Sequence, residues 1–378
     1  MRVLLAFDKF KDSMSASEAC AVAASMIRKV RPTWEVELCP ISDGSDGFAS
    51  ILTQARSGRL THHTVMGPNF KHVEAHMGLV DCASFNLSSK AWLKLPDKGT
   101  VAVVEMAQAS GLMHLAPAER NLWYTSSFGT GELLKIALEA NPEVIVLGVG
   151  GSATHDLGLG ALEALGLRFR AESGDILTQV TPNQWDKIVA IEGEIPKKLP
   201  RIILAPNVQN KLLGSRGAAS LFGPQKGLKK TDLNRLEEQT LRMSELLMGH
   251  FGAPRSIIET PGSGAAGGMT VGLQAALKVE IIPGIELTDR WVRLNEKIER
   301  ATMIITGEGK FDLGTLEGKA PQYVIERAAN RGKRIYCLVG QLVLPGDGAL
   351  PNNLIEAKIL RMAPNDVTEE ESMESAIG

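Results

Sequence analysis

Apolar residues in this chain come in two rhythms. Short apolar-rich runs suit strands: Arg2 to Phe7, Val36 to Cys39, Val101 to Met106, Val144 to Leu147, Arg201 to Ala205, Met303 to Ile305 and Ile335 to Val339, with Arg2 to Phe7, Met303 to Ile305 and Ile335 to Val339 of the kind buried on both faces. Between them, apolar positions recur at helical spacing. Ser15 and Glu18 form a capping box ahead of Ala19, Cys20, Ala23, Met26, Ile27 and Val30, and Arg31-Pro32 stops that helix. Further helices are predicted from Ser127 through Leu138, around Leu162 and Leu165, over Thr231 to His250, over Asp289 to Arg300, and through Ala328 and Ala329. In the Thr231 helix, Leu233, Leu236, Leu241, Met243, Leu246 and Leu247 lie mostly on one stripe, which is core packing. Strands alternating with helices predict an α/β fold.

The polar residues that follow the strands carry the candidate chemistry. The first strand empties into Asp8, Lys9 and Lys11, and the second opens into Ser42-Asp43-Gly44-Ser45-Asp46-Gly47. After Met303-Ile304-Ile305, Gly307 is expected to turn the chain. Glu308 and Asp312 then stand on a strand-to-helix loop, with Lys319 behind them. In open α/β sheets, ligands gather outside the carboxyl ends of strands, where helix N-termini attract anions. Carboxylates there repel phosphate unless a cation intervenes. Oxygen ligation without histidine suits magnesium, so Glu308 and Asp312 are candidate metal ligands of a phosphoryl-transfer site. A polar loop merely turned by its glycines is the alternative.

Two glycine-rich stretches remain, Gly148 to Asp156 and Pro261 to Gly268, where small residues let backbone approach a phosphate or a neighbouring helix. The first also matches GxGxxA after a strand. A strand-like run from Leu167 to Ala171 ends at Glu172, about where a ribose-binding acid belongs, so an NAD-dependent oxidoreductase stays open as an alternative. No Walker A loop, protein-kinase motif set or GxSxG elbow is present.

Composition narrows the partners. The chain has 378 residues, 44% of them apolar and 22% charged, with a net charge of −2. That length allows two domains. The lack of basic excess gives nucleic-acid or membrane-surface binding no electrostatic support. Cys20, Cys39, Cys82 and Cys337 show no CxxC spacing, so neither zinc nor a disulfide framework is suggested. The amino terminus reads as a strand rather than a signal peptide, and no apolar run approaches membrane length, so a cytoplasmic protein is expected.

Several long strings resemble one family, the type-1 glycerate kinases of bacteria: AFDKFKDSMSASEA, PISDGSDGF, SSFGTGE, GVGGSATHDLGLG, RGAASLFGPQKG, PGSGAAGGM and ITGEGKFDLGTLEGKAP. The resemblance spans nearly the whole chain. It implies ATP-dependent phosphorylation of D-glycerate with Mg2+, usually giving 2-phosphoglycerate. It also implies a Rossmann- or flavodoxin-like domain from both chain ends, residues 1–66 and 285–378, with a second α/β domain, 67–284, inserted and the active site in the cleft.

The roles that follow are expectations carried by the resemblance. Asp43 orients or deprotonates the glycerate hydroxyl, with Asp8 in the catalytic group. Lys11 and Lys319 bind the substrate carboxylate or the moving phosphate. Glu308 and Asp312 hold magnesium, and Gly150, Gly151, Ser152, Gly264, Gly267 and Gly268 line the ATP phosphates. The partner is a small molecule, with no nucleic acid and no membrane, and with room for a homo-oligomer.

The chain departs from the family pattern at Ser45, Asp46, His155, Asn207 and Gly314, and the departures at Ser45, Asn207 and Gly314 motivate a second alternative, a non-catalytic paralogue that binds a small acid or nucleotide. A carboxyl end shorter than the family's, beyond Thr368-Glu369-Glu370-Glu371, is also expected.

Overall fold

The computed structural model describes residues 1–11, 13–196, 198–312, 315, 319–343 and 357–362. Gly314, Gly318 and the expected shortening beyond Thr368 lie outside the described residues. The chain divides into two compact units, Met1–Asp43 with Ile285–Gly378, and Gly44–Gly284.

The first unit is built on five parallel strands. Across the sheet they run Ala357–Arg361, Arg334–Leu342, Met303–Phe311, Arg2–Phe7, Glu35–Leu38. Counted along this unit the order is 2-1-3-4-5, that of flavodoxin-type sheets, whose ligand crevice opens between the first and third strands. The run Val3 to Phe7 is buried throughout, which explains its unbroken apolar character. Helix Ala16–Val30 starts on the capping box read from Ser15 and Glu18 and covers Val3, Leu5 and Phe7 with Ala19, Cys20 and Ala24.

Two expectations change here. Gly307 does not turn the chain, and the strand Met303–Phe311 runs on through it, pairing Glu308 with Val339. The glycine is there because a Cβ would stand 2.0 Å from the Leu338 carbonyl oxygen across the ladder. Glu308 is therefore a strand residue, and Asp312 alone begins the loop. The helix expected over Asp289 to Arg300 is two helices, Gly284–Val292 and Leu294–Arg300, parted by Arg293 at φ 59°. Asp289 holds the joint, accepting from Asn295 N at 2.9 Å and from Tyr323 Oη at 2.7 Å.

The second unit carries a six-stranded sheet in the order Val279–Ile281, Arg201–Ala205, Val144–Gly148, Thr100–Glu105, His72–Asp81, Arg59–Met66. The first four strands are parallel and the last two form an antiparallel hairpin edge. Residues 44–66, expected with the first unit, pack here. Helix Phe48–Gln54 lies on His72–Asp81 and Thr100–Glu105, and Arg59–Met66 pairs along its whole length with His72–Asp81. Met106, expected to end a strand, instead opens helix Met106–Ser110.

Strand Arg168–Ala171 belongs to a separate antiparallel sheet with Ile176–Leu177 and Ile188–Glu192. A dinucleotide fold needs that strand as a parallel neighbour of Val144–Gly148. The NAD reading therefore loses its support. Among the described residues no helix is long and apolar enough to cross a membrane.

Candidate active site

Asp8 follows the first strand and Glu308 lies on the third, so the topology sets both at the sheet's crevice. The backbone N–H of Asp8 donates to the Gly307 carbonyl at 3.0 Å, continuing the ladder to the point where Glu308 begins. Asp8, Asp43 and Glu308 are 5%, 3% and 6% exposed, which makes them a buried acid group rather than a solvated rim. Burial, and then the charges of Asp43 and Glu308, hold the Asp8 carboxyl well above the usual carboxylate range, with Lys9 opposing. Burial pushes Glu308 up to about 7, against the pull of Lys319 and of a hydrogen bond from Thr315, while Asp312 and Asp43 add to the rise.

The remaining expected residues surround this group. Thr315 Oγ1 donates to Glu308 Oε1 at 2.6 Å, and Thr315 N donates to Asp312 Oδ1 at 3.2 Å. Lys319 sits at the N-cap of helix Ala320–Ala329 with Nζ 3.8 Å from Asp312 Oδ1, and both are part-exposed. Lys11 is exposed, and its backbone nitrogen lies 3.0 Å from where a Cβ on Gly309 would stand. The structure thus brings Asp8, Asp43, Glu308, Asp312 and Lys319 into one charged group, with the Lys11 turn against the strand beside it.

In the second unit the loop after Val144–Gly148 is packed by protein on several sides. A Cβ on Gly151, at φ +70°, would stand 2.3 Å from Asp46 Oδ1, and one on Gly150 would stand 2.6 Å from Ser45 Cβ. Gly267, at φ +64°, lies against the Thr154 and His155 backbone, and its carbonyl accepts from Leu157 N at 3.1 Å. Gly264 and Gly268 are buried against Asn210–Lys211 and Leu157–Leu212. These glycines let two loops meet.

Ser152, 6% exposed, is joined to a residue that sequence reasoning missed. Lys226 Nζ donates to Ser152 Oγ at 2.8 Å and to the Thr154 carbonyl at 2.7 Å. Asp156 is buried and accepts from Ser127 N and Oγ and from Gly158 and Gly160 N, fixing the start of helix Leu159–Ala164. His155, expected from the sequence to be a departure from the family pattern, is buried in this loop. Burial lowers it to about 3, and its Nε2 reaches Thr240 Oγ1 at 3.0 Å.

Glu105 was also missed. It closes strand Thr100–Glu105, is fully buried, and accepts from Gly47 N at 3.1 Å and Ala49 N at 2.9 Å, so it anchors the start of helix Phe48–Gln54. A carboxylate ending an otherwise apolar run, and a lysine between Gly223 and Gly227, were the available signals. Each acts on partners distant in the chain.

The family model for the glycerate kinase family matches residues 3–377. The chain belongs to the glycerate kinase family. Among curated relatives of this family, a glycerate kinase of Halalkalibacterium halodurans is 35% identical over 344 residues, covering 90% of this chain and 85% of the relative. The glycerate 2-kinase of Escherichia coli is 34% identical over 349 residues, covering 90% and 86%. A crystal structure of a Salmonella typhimurium LT2 chain assigned as glycerate kinase 2 superposes with a TM-score of 0.73 at 32% identity, covering 99% of this chain and 94% of that one. As a member of the glycerate kinase family the protein is a phosphotransferase with an alcohol group as acceptor, and its substrate is a small molecule.

The acid group suits a divalent cation. Asp8 and Glu308 are raised partly by the neighbouring negative charges, a repulsion that a cation relieves. Among the described residues no set of three or more acid, histidine or cysteine side chains is arranged to hold a metal ion by itself. Magnesium needs only one or two carboxylates, because it keeps several waters and takes phosphate oxygens.

Proposed function

We propose that the protein transfers the terminal phosphoryl group of ATP to the 2-hydroxyl of D-glycerate, giving 2-phosphoglycerate and ADP. The observation that carries this reading is the buried Asp8–Asp43–Glu308 group at the crevice of the parallel sheet. Phosphoryl transfer asks for positioning and charge neutralisation more than for covalent chemistry.

Asp43 takes the proton of the attacking hydroxyl as its oxygen bonds to the γ-phosphorus and the bond to the β–γ bridging oxygen breaks. Lys11 and Lys319 supply positive charge for the glycerate carboxylate and the moving phosphoryl group. Glu308 and Asp312, with Asp8 beside them, would hold magnesium, which supplies charge neutralisation across the phosphates. Thr315 orients Glu308 through its hydroxyl. The name of the Escherichia coli relative, glycerate 2-kinase, favours the 2-hydroxyl over the 3-hydroxyl.

The test is ADP release from the protein with ATP, magnesium and D-glycerate, with the product's phosphate located by phosphorus NMR. Turnover giving 2-phosphoglycerate is expected. A folded, ATP-binding protein that phosphorylates no three-carbon hydroxy acid sinks the reading in favour of a non-catalytic binder.

A further inference from the structure

Where two loops of the second unit meet, they carry more hydrogen-bond donors than are used among the described residues. Gly223 and Gly227 bracket the short turn Pro224–Lys226. Gly227 takes φ +84° where a Cβ would stand 1.9 Å from the Arg120 carbonyl oxygen, so the turn holds Lys226 facing inward at 4% exposure. An ammonium has three donors, and two are placed, on Ser152 Oγ and the Thr154 carbonyl. Ser152 uses its oxygen as the acceptor there, which leaves its O–H to give. Thr154 is fully buried, yet its Oγ1 has no hydrogen-bond partner among the described residues. An orphaned buried hydroxyl is uncommon and calls for an explanation.

We propose that Ser152, Thr154 and Lys226 form a phosphate-oxygen subsite, in which the spare hydroxyls and the third ammonium proton take the oxygens of the nucleotide. Thr154 and Lys226 join Ser152 here by geometry, and the assignment rests on the ATP reading above. An acceptor-rich anion satisfies three donors at once, which water or a metal ion does not. Lys226 fits the same picture electrostatically. Burial lowers it to about 7, Asp156 alone opposes that, and buried His155 is the other titratable group coupled to it. An anion at Nζ restores the charge, so binding above neutral pH takes up a proton.

The test is calorimetric titration of the full chain with ADP, and separately with inorganic phosphate, at pH 8 in two buffers of different ionisation enthalpy. Thr154→Val decides between a ligand donor and a merely buried group, since it keeps the shape and deletes the hydroxyl. About a tenfold loss of ADP affinity is expected, as for a hydrogen bond to a charged group. Unchanged affinity with raised thermal stability overturns the subsite.

Lys226→Met is expected to weaken ADP at least tenfold and to abolish the proton uptake. Should that variant not fold, Ser152→Ala and Thr154→Val carry the test alone. Wild-type protein that turns over glycerate while both hydroxyl variants bind ADP normally refutes the subsite and leaves the function standing. Wild-type ADP binding that depends on these groups, without glycerate turnover, does the reverse.

Discussion

Thr315 donates its hydroxyl to Glu308 Oε1 at 2.6 Å, holding a carboxylate that has Asp8 and Asp43 for neighbours. That bond orients an acid on which Lys319 pulls one way and the charges of Asp312 and Asp43 the other. Replacing Glu308 with Gln keeps a carbonyl oxygen for Thr315 and removes one negative charge from the buried group. In the absence of divalent cations the E308Q protein is expected to melt higher than wild type at pH 8, by an amount corresponding to about 1–2 kcal/mol, while turnover falls at least about a hundredfold. Melting curves in EDTA alongside the ADP-release assay check this. A variant both less stable and fully active contradicts it.

Asp43 belongs to that charge balance and carries, in the proposed chemistry, the separate role of proton acceptor. It is 3% exposed, at the end of the segment that follows strand Glu35–Leu38. Asp43→Asn preserves its size. Loss of a positioned proton acceptor lowers kcat by roughly 10²–10⁴-fold, and the KM for ATP should change little. Near-normal kcat in a folded Asp43→Asn protein removes it from the mechanism.

How far the chain could be read in advance follows from the range of each interaction. The buried run Arg2 to Phe7 and the Ser15–Glu18 capping box are local devices, and both are seen as read. Gly307 looked like a stop because a glycine after an apolar run usually turns the chain. What it answers instead is the Leu338 carbonyl on the neighbouring strand, which sequence spacing does not report. The same limit hid Glu105, whose partners Gly47 and Ala49 precede it by some sixty residues, and Lys226, bonded to Ser152 and Thr154 across more than seventy. Residues 44–66, expected in the first unit, take packing partners, His72–Asp81 and Thr100–Glu105, that come later in the chain.

Gly309 offers a test of the Lys11 turn that leaves every charged group in place. An added Cβ would meet the Lys11 nitrogen at 3.0 Å and Phe10 Cα at 3.3 Å, which is tight enough to push that turn outward. Gly309→Ala is expected to cost about 1–2 kcal/mol of stability, and to raise the KM for glycerate more than that for ATP if Lys11 serves the carboxylate. Unchanged KM for both substrates, with the stability loss present, separates the Lys11 turn from substrate binding.

The pH dependence of stability has a distinct source in Glu105. Burial, with Asp46 adding, raises this carboxyl from 4.5 to about 7, against the backbone N–H groups of Ala49 and Gly47 and the Gln108 amide. A folded-state value above the unfolded one means that the native protein holds the proton more tightly. The contribution is complete below about pH 4.5 and is lost as pH rises through about 7, with an upper bound of about 3 kcal/mol. Wild-type urea midpoints should therefore fall between pH 5 and pH 8. Glu105→Gln, neutral throughout, should show a shallower fall over the same window, and parallel curves for the two proteins would take Glu105 out of the account. The Asp46 carboxylate adds to the rise, so Asp46→Asn should flatten the same window by a smaller amount while leaving the Gly47 and Ala49 hydrogen bonds to Glu105 in place.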